Sequence, residues 1–165
     1  MKPRRWILVA EDNCNDADLT VRALTANRPD LEVVVAQDGQ EALDCLYRSG
    51  NFRNRMGPHP ALLVLDLKMP KVNGLEVLAR IKAEPALRAL PVVIFTSSAE
   101  ESDMFRAYEL GANAYLVKPM GYRDYEVALK QLGIFWIDFN ELPLGMAGAV
   151  NFVENSPLQP AHVSH

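Results

Sequence analysis

The sequence predicts an α/β fold in which helices cover both faces of an open parallel sheet. Short runs rich in Val, Ile and Leu recur along the chain, and several are continuous rather than alternating with polar residues. Continuous apolar runs are typical of strands that are buried on both faces. Each run begins about 20 to 30 residues after the previous one, which leaves room for one crossover helix. This alternation predicts parallel strands joined by right-handed crossovers.

Five runs are predicted to be strands, and the segments between them have the apolar spacing of amphipathic helices. The strands are expected at residues 6–10, 31–36, 61–65, 92–95 and 114–117. The helix signals are a cap at Asn15 or Asp16 with an end near Ala26, starts near Gly39 and at Gly74, a cap at Ser98 with an end at Gly111, and a last helix from about Tyr122 to Phe135. The expected strand order is that of a flavodoxin-like sheet, 2-1-3-4-5.

Length and composition fit one domain followed by a short tail. The chain has 165 residues, of which 49% are hydrophobic, and its formal net charge is -4. There is no basic excess to indicate nucleic-acid binding, and no apolar run approaches the roughly 20 residues of a membrane-spanning helix. We therefore expect a cytoplasmic protein with one domain over residues 1–137 and a partly disordered C-terminal extension over residues 138–165. Cys14 and Cys45 lack metal-ligand spacing, so reduced thiols are expected.

Polar side chains follow four of the predicted strands at the point where each strand ends. Glu11 and Asp12 follow the first strand, Asp66 follows the third, Thr96 follows the fourth and Lys118 follows the fifth. Because the carboxyl ends of parallel strands meet at one edge of a sheet, these five residues are expected to lie close together.

The chemistry of this edge follows from its charges. Three neighbouring carboxylates repel one another, and a divalent cation would relieve that repulsion. Oxygen ligands with an incomplete protein shell suit Mg²⁺, which keeps some of its waters and accepts a phosphate oxygen. With Thr96 as a hydrogen-bond donor and Lys118 as a cation, the set predicts an acyl phosphate formed on Asp66.

Five segments, taken in order, resemble the receiver domains of two-component response regulators, which have a CheY-like fold. They are ILVAEDN, AQDGQEAL, VLDLKMPKVNGLEVL, VVIFTSSAEE and GANAYLVKP. The last three keep the family spacing between acceptor, hydroxyl and lysine, and the resemblance extends over about residues 6–137. It implies a phosphoacceptor that promotes its own phosphorylation and dephosphorylation, rather than an enzyme that turns over a separate substrate.

The resemblance also implies the roles of the residues around the acceptor. Asp66 is implied to accept the phosphoryl group from a sensor histidine kinase in the presence of Mg²⁺. Asp12 is implied to be a direct metal ligand, and Glu11 to act on the metal through water. The backbone carbonyl of Lys68 is implied to complete the protein ligands of the metal.

Further roles concern the signal that follows phosphorylation. Lys118 is implied to pair with the phosphoryl group, and Thr96 to bond one of its oxygens and move toward it. Tyr115 is implied to be an aromatic switch that turns inward as Thr96 moves. The Lys118–Pro119 peptide bond is expected to be cis, which would place the lysine at the site.

Partners are implied by the same resemblance. The surface of the fourth helix, fifth strand and fifth helix is expected to bind a downstream protein target or a relay protein. The long loop over residues 48–60 and the segment IFWIDFNELP resemble the receivers that partner phytochromes, so a phytochrome kinase is a candidate partner. The segment IFWIDF is either a homodimer contact or the last helix packing on its own core. The arginines of the 48–60 loop either contact a kinase or, as favoured, face solvent.

Two other functions fit parts of the pattern. A haloacid-dehalogenase phosphatase also places a nucleophilic Asp beside Mg²⁺ on a parallel sheet, but it has a second acid two residues later, where this chain has Lys68. A degenerate receiver that serves only as a binding module is disfavoured because Asp12, Asp66, Thr96 and Lys118 are all present.

Overall fold

A computed structural model of the chain describes residues 4–143. Its strands form one parallel sheet in the order β2-β1-β3-β4-β5, which confirms the predicted topology. The strands are β1 Trp6–Ala10, β2 Glu32–Ala36, β3 Leu62–Leu65, β4 Val92–Thr96 and β5 Ala114–Val117. The helices are α1 Cys14–Thr25, α2 Gly39–Tyr47, α3 Gly74–Ala83, α4 Glu101–Glu109 and α5 Tyr122–Gly133. None of the helices within residues 4–143 is long and apolar enough to cross a membrane.

The sheet separates two apolar cores, one on each face. Along β1, Leu8 packs into the core that also contains side chains of α2 and α3. Its neighbours Ile7 and Val9 point to the opposite face, into the core that contains side chains of α1 and α5. Because successive side chains of a strand point to opposite faces, a continuous apolar run is what a strand covered by helices on both sides requires.

Helix starts differ from the prediction in two places. The cap of α1 is Asn13, whose side chain accepts a hydrogen bond from the Asp16 backbone N–H, so neither Asn15 nor Asp16 is the cap. The cap position of α4 is Glu100 rather than Ser98, and the Ser98 hydroxyl instead donates to the Asp103 carboxylate over 2.6 Å. Asn, Asp and Ser can all cap a helix, but the Glu100 side chain makes no capping hydrogen bond, so the path of the chain leaving each strand decides where the helix begins. The end of α4 is followed, as predicted, by Gly111 in the left-handed conformation, with φ +103°.

The last helix continues as a π-helical segment over Ile134–Phe139. Trp136 and Ile137 in this segment pack against the core beneath α1 and α5. Phe135 and Phe139 are exposed to solvent. The segment therefore contributes to its own core and also presents an apolar outer side.

Two arginines attach the end of the described chain to its beginning. Arg5 donates to the Ile137 carbonyl over 2.8 Å and to the Asn140 carbonyl over 2.7 Å. Arg28, just after α1, forms an ion pair with Asp138. We call these contacts the arginine clasp. Of the extension that the sequence predicts over residues 138–165, the first six residues are described and begin at this clasp, while residues 144–165 lie outside the described residues.

Arginines of the 48–60 loop make contacts within the domain. Arg48 donates to the Gly57 carbonyl. Arg55 forms an ion pair with Glu32 over 2.8 Å, and its guanidinium lies 3.9 Å from the centre of the Trp6 ring. Two of the three arginines in the loop are therefore used in contacts within the domain, at the end of the sheet opposite the carboxyl ends of the strands.

Candidate functional site

Hydrogen bonds that extend the sheet beyond the strand ends position the predicted site residues. The Asp66 backbone N–H donates to the Ala10 carbonyl over 3.1 Å, which fixes the acceptor beside the end of β1. The Lys118 N–H donates to the Thr96 carbonyl over 2.7 Å, which fixes the lysine beside the end of β4. Asp66 and Lys118 are thus held by backbone hydrogen bonds that continue the parallel ladder.

Lys118 is the centre of the charge cluster. Its ammonium group donates to Glu11 over 2.7 Å, to Asp16 over 2.9 Å and to Asp66 over 2.9 Å. An ammonium group has three N–H donors, so all of them are used. The side chain of Lys118 is only 8% exposed, and such a buried charge is tolerated because its carboxylate partners neutralise it.

Burial and hydrogen bonding determine the pKa values of this cluster. Burial raises the pKa of Glu11 to about 7, and this exceeds the opposing effect of the hydrogen bond from Lys118. Burial also acts to raise the pKa of Asp66, but the hydrogen bond and charge of Lys118 and the Thr96 hydroxyl hold that pKa below its usual value. Burial acts to lower the pKa of Lys118, and its carboxylate partners outweigh this and raise it. At neutral pH, Asp66 is therefore ionised and Lys118 is charged.

Three carboxylates at this edge fit a divalent cation. Glu11, Asp12 and Asp66 each offer an oxygen, and these oxygens all lie within 4.8 Å of one another. Asp12 is exposed, whereas Glu11 and Asp66 are buried. Repulsion from Asp66 adds to the larger effect of burial in raising the pKa of Glu11. An oxygen-only donor set that opens to solvent at Asp12 suits a cation that keeps waters.

The two residues that flank the acceptor have different surroundings. The Lys68 side chain is exposed, and its backbone N–H approaches Asp66 at 3.4 Å. The role of the Lys68 carbonyl as a metal ligand stays a prediction. Thr96 is fully buried beside Asp66, and its hydroxyl accepts a long contact of 3.4 Å from the Ser98 N–H.

Tyr115 lies on β5, which β4 separates from the strand that precedes the acceptor. Its side chain is half-buried against the core, and its hydroxyl donates to the Ser98 carbonyl over 2.9 Å. The bond connects β5 to the loop that leaves Thr96 and enters α4. Thr96 and Tyr115 are therefore linked through the β4–α4 loop, while their switching roles stay predictions.

The expected cis peptide at Lys118–Pro119 is wrong, because no peptide bond within residues 4–143 is cis. The trans form is the more stable isomer of an X–Pro bond by about 0.5–1 kcal/mol. Here the backbone of Lys118 continues the sheet ladder, and its flexible four-carbon side chain reaches Asp66 from that position.

Asp16 is a member of the site that the sequence predicts only as a candidate helix cap. In the structure the Asp16 carboxylate binds Lys118. A signal was present, since Asp16 lies in the first turn of α1, only six residues after Ala10, where β1 ends at the edge that holds the site. Its partner is 102 residues away in sequence, so local spacing alone could not identify the contact.

The stability of the cation-free protein is expected to fall between about pH 5 and about pH 8. Glu11 has a pKa that folding raises from 4.5 to about 7. Its stabilising contribution is therefore complete below pH 4.5 and is lost as the pH rises through about 7, a change of about 3 kcal/mol. Asp66, whose pKa is lowered from 3.8, contributes no slope in this range. Urea unfolding with a chelator at several pH values measures the slope.

Glu11→Gln is the matched control for this slope, because the amide keeps the shape of the side chain and does not titrate. We expect the variant to lose most of the fall in stability over this pH range. Saturating Mg²⁺ is expected to flatten the slope in the wild-type protein, because the cation favours the ionised carboxylate. An unchanged slope in Glu11→Gln would assign the effect to another group.

Comparison with known proteins agrees with this geometry. The family described as the response regulator receiver domain matches residues 7–130. Response regulator Rcp1 of Synechocystis is 37% identical over 141 residues, which are 86% of this chain and 95% of that protein. The Mn²⁺-bound form of Rcp1 superposes with a TM-score of 0.79 over 84% of this chain and 99% of that one.

Two further solved structures are similar. The phosphorylated cyanobacterial phytochrome response regulator RcpA is 36% identical, with a TM-score of 0.80 over 85% of this chain and 99% of that one. The bacteriophytochrome response regulator AtBRR is 51% identical, with a TM-score of 0.66 over 83% of this chain and 98% of that one. The fold, the edge of charged side chains and these similarities agree, and the chain belongs to the response regulator receiver domain family.

Proposed function

We propose that Asp66 accepts a phosphoryl group from a sensor histidine kinase and that the modified domain then binds a protein partner differently. The observation that supports Asp66 best is its position. It is a buried carboxylate, 6% exposed, that is kept ionised by Lys118 and stands within 4.8 Å of the two other acids. A carboxylate that is ionised, fixed and beside a cation has what a phosphoryl acceptor needs.

The proposed transfer is an in-line displacement at phosphorus. A carboxylate oxygen of Asp66 forms the new O–P bond with its own electron pair. The P–N bond to the kinase histidine breaks, its electron pair stays on the imidazole, and a proton from solvent completes the neutral ring. The Lys118 ammonium and the Thr96 hydroxyl then donate hydrogen bonds to the transferred group and offset its negative charge.

Mg²⁺ is the proposed cofactor, held by Asp12, Asp66 and, through water, Glu11. When bound, it supplies positive charge that offsets repulsion between the carboxylates and the incoming phosphoryl group. The oxygen-only donor set and the exposure of Asp12 support this choice. The Lys68 carbonyl is proposed as the remaining protein ligand.

The proposed output surface is formed by α4, β5 and α5. Several large apolar side chains are exposed on it, namely Phe105, Tyr108, Val117, Met120 and Tyr122. A group of exposed large apolar side chains is characteristic of protein-binding surfaces. Movement of Thr96 toward the phosphoryl group would pull on the β4–α4 loop, where Tyr115 is bonded, and so change this surface.

Asp66→Asn is expected to abolish labelling by acetyl phosphate. The wild-type protein, incubated with acetyl phosphate and Mg²⁺, should gain the mass of one phosphoryl group by intact-mass spectrometry. The amide of the variant lacks the nucleophilic oxygen but keeps the shape of the side chain. Asp103→Asn, at a carboxylate of α4 outside the cluster, is the matched control and should be labelled. Failure to label the wild-type protein would favour a binding module that does not use phosphate.

A phytochrome is the proposed kinase, because RcpA and AtBRR are described as phytochrome and bacteriophytochrome response regulators. A purified phytochrome kinase should transfer its phosphoryl group to the wild-type chain and not to Asp66→Asn. Transfer from an unrelated histidine kinase, without transfer from any phytochrome, would contradict this pairing.

A homodimer contact is proposed at the end of α5, where Phe135 and Phe139 are exposed. Sedimentation of the phosphorylated and unphosphorylated protein would test it.

We propose that the chain promotes its own phosphorylation and dephosphorylation and does not turn over separate phosphate esters. The phosphatase alternative requires a second acid two residues after the nucleophile. That position holds Lys68, whose side chain is exposed, and the chain belongs to the receiver family. Both observations argue against that alternative.

A further inference from the structure

The ammonium group of Lys118 has one partner that lies outside the group of acids suited to a metal ion. Glu11 and Asp66 belong to that group. Asp16, on the first turn of α1, does not, yet its carboxylate accepts from Lys118 over 2.9 Å, the same distance as Asp66. The Lys118 contacts therefore divide into two that involve the reaction centre and one that does not.

Within the described residues, the hydrogen bonds that hold α1 use the backbone of Asp16 and not its side chain. Its backbone N–H donates to the cap residue Asn13, and its backbone carbonyl accepts from the Thr20 hydroxyl over 2.7 Å. These two bonds hold the first turn of α1 in place and do not use the carboxylate. Within residues 4–143, the carboxylate accepts its hydrogen bond from Lys118.

The partners of Lys118 change at different steps of the proposed reaction. A cation at the acidic group draws on the charge of Glu11 and Asp66, and phosphorylation converts the Asp66 carboxylate into an acyl phosphate. Asp16 takes part in neither change. Its contact with Lys118 is the one that both states of the site can keep.

We propose that Asp16 is a positioning residue that holds the Lys118 ammonium in line with the phosphoryl group throughout the reaction. This inference rests on the proposed function, because it concerns the same transfer to Asp66. In this proposal one N–H of Lys118 stays bonded to Asp16, and the other two remain available to the groups that change during the reaction. Asp16 itself does not contact the phosphoryl group.

A double-mutant cycle tests the proposal, because it isolates an effect that acts through Lys118. The proteins are wild type, Asp16→Asn, Lys118→Met and the double variant. Asp18→Asn is the matched control, since Asp18 lies on the same helix in an exposed ion pair with Arg22. The initial rate of phosphorylation is measured with radiolabelled acetyl phosphate and saturating Mg²⁺, so that slow rates in the Lys118→Met proteins can be quantified.

Asp16→Asn is expected to lower the rate about tenfold, as for the loss of one hydrogen bond between charged groups. In the Lys118→Met background the same substitution should change the rate by less than about twofold, because no ammonium remains to be positioned. Asp18→Asn should have the wild-type rate. The affinity for Mg²⁺, measured by calorimetry, should weaken no more in Asp16→Asn than in Asp18→Asn.

Two results would overturn the proposal. An equal loss of rate in both backgrounds would show that Asp16 acts through the fold and not through Lys118. A wild-type rate in Asp16→Asn would show that Lys118 needs no anchor. NMR gives a reading that does not depend on rate, since the Lys118 ammonium resonance should shift in Asp16→Asn and stay in place in Asp18→Asn. If the wild-type protein is not labelled on Asp66, the proposed function itself fails, which the cycle distinguishes from failure of the anchor alone.

Discussion

Gly74→Ala is expected to cause a loss of about 3 kcal/mol in the free energy of unfolding, at the upper end of overpacking effects. A Cβ atom at this position would lie 2.1 Å from the Asp66 carbonyl oxygen and 2.7 Å from the Leu67 Cα. Both neighbours are backbone atoms, so neither can rotate away as a side chain could. Urea unfolding measures the change in the midpoint.

The same substitution is expected to slow phosphorylation, because relief of the clash must move either α3 or the backbone of Asp66. The Gly74 N–H donates to the Leu67 carbonyl over 2.8 Å, so the two segments are already in contact. Gly121→Ala is the matched control, since its Cβ would have only the end of the Asp124 side chain nearby, at 3.9 Å. If Gly74→Ala were as stable and as reactive as Gly121→Ala, the close approach of α3 to the acceptor would be contradicted.

Lys118→Met is the second substitution with a large expected effect. It removes the ammonium group from Glu11, Asp16 and Asp66 and leaves buried carboxylates without a counter-charge. Removing one partner of a buried ion pair typically costs about 3–5 kcal/mol. We expect a loss of that size at neutral pH in the presence of a chelator, measured by urea unfolding.

The loss is expected to shrink under two conditions that neutralise the same carboxylates. Saturating Mg²⁺ should restore part of the stability of the variant. The variant should also bind Mg²⁺ more tightly than the wild-type protein does, because its site has lost one positive charge. Lowering the pH to about 5 should also restore stability, since protonation removes the repulsion.

Lys130→Met is the control for loss of an ordinary lysine. Its partner is Glu126, at 2.8 Å on the exposed side of α5, and surface pairs of this kind contribute less than about 1 kcal/mol. Equal stability of the Lys118 and Lys130 variants without a divalent cation would mean that Lys118 does not offset repulsion among the carboxylates of the cluster.

The fold and most of the site could be predicted because both depend on where strands end. The predicted strands agree with the observed ones to within one residue at each end. Residues that follow parallel strands meet at one edge for topological reasons, so Glu11, Asp12, Asp66, Thr96 and Lys118 could be grouped without knowledge of any side-chain conformation.

Features that depend on side-chain reach could not be predicted in this way. Asp16 and Lys118 meet because a flexible lysine side chain spans the distance between β5 and the first turn of α1. Local sequence does not encode that distance. The same reach explains why the lysine arrives at the site without a cis peptide bond at Pro119.

Competition among equivalent local signals explains the errors in the helix starts. Asn13, Asn15 and Asp16 all have side chains that can cap a helix. The Asn13 N–H donates to the Glu11 carboxylate over 3.1 Å, which turns the chain at that residue and begins α1 there. The position of Glu11 in the folded site, and not the residue type, determines which of the three residues caps α1.

The arginine clasp affects the order in which contacts form while the chain is synthesised and folds. Arg5 is separated by 132 and 135 residues from the carbonyls that it binds. Contacts between such distant parts of a chain close very large loops and are slow to form. During synthesis from the N-terminus, Arg5 leaves the ribosome long before Ile137 and Asn140 exist, so the clasp is among the last contacts to form. Until then, pairing with β2 and β3 holds the beginning of β1. A nascent chain interrupted before residue 137 would contain every residue of the site but could not form the contacts of Arg5 with Ile137 and Asn140.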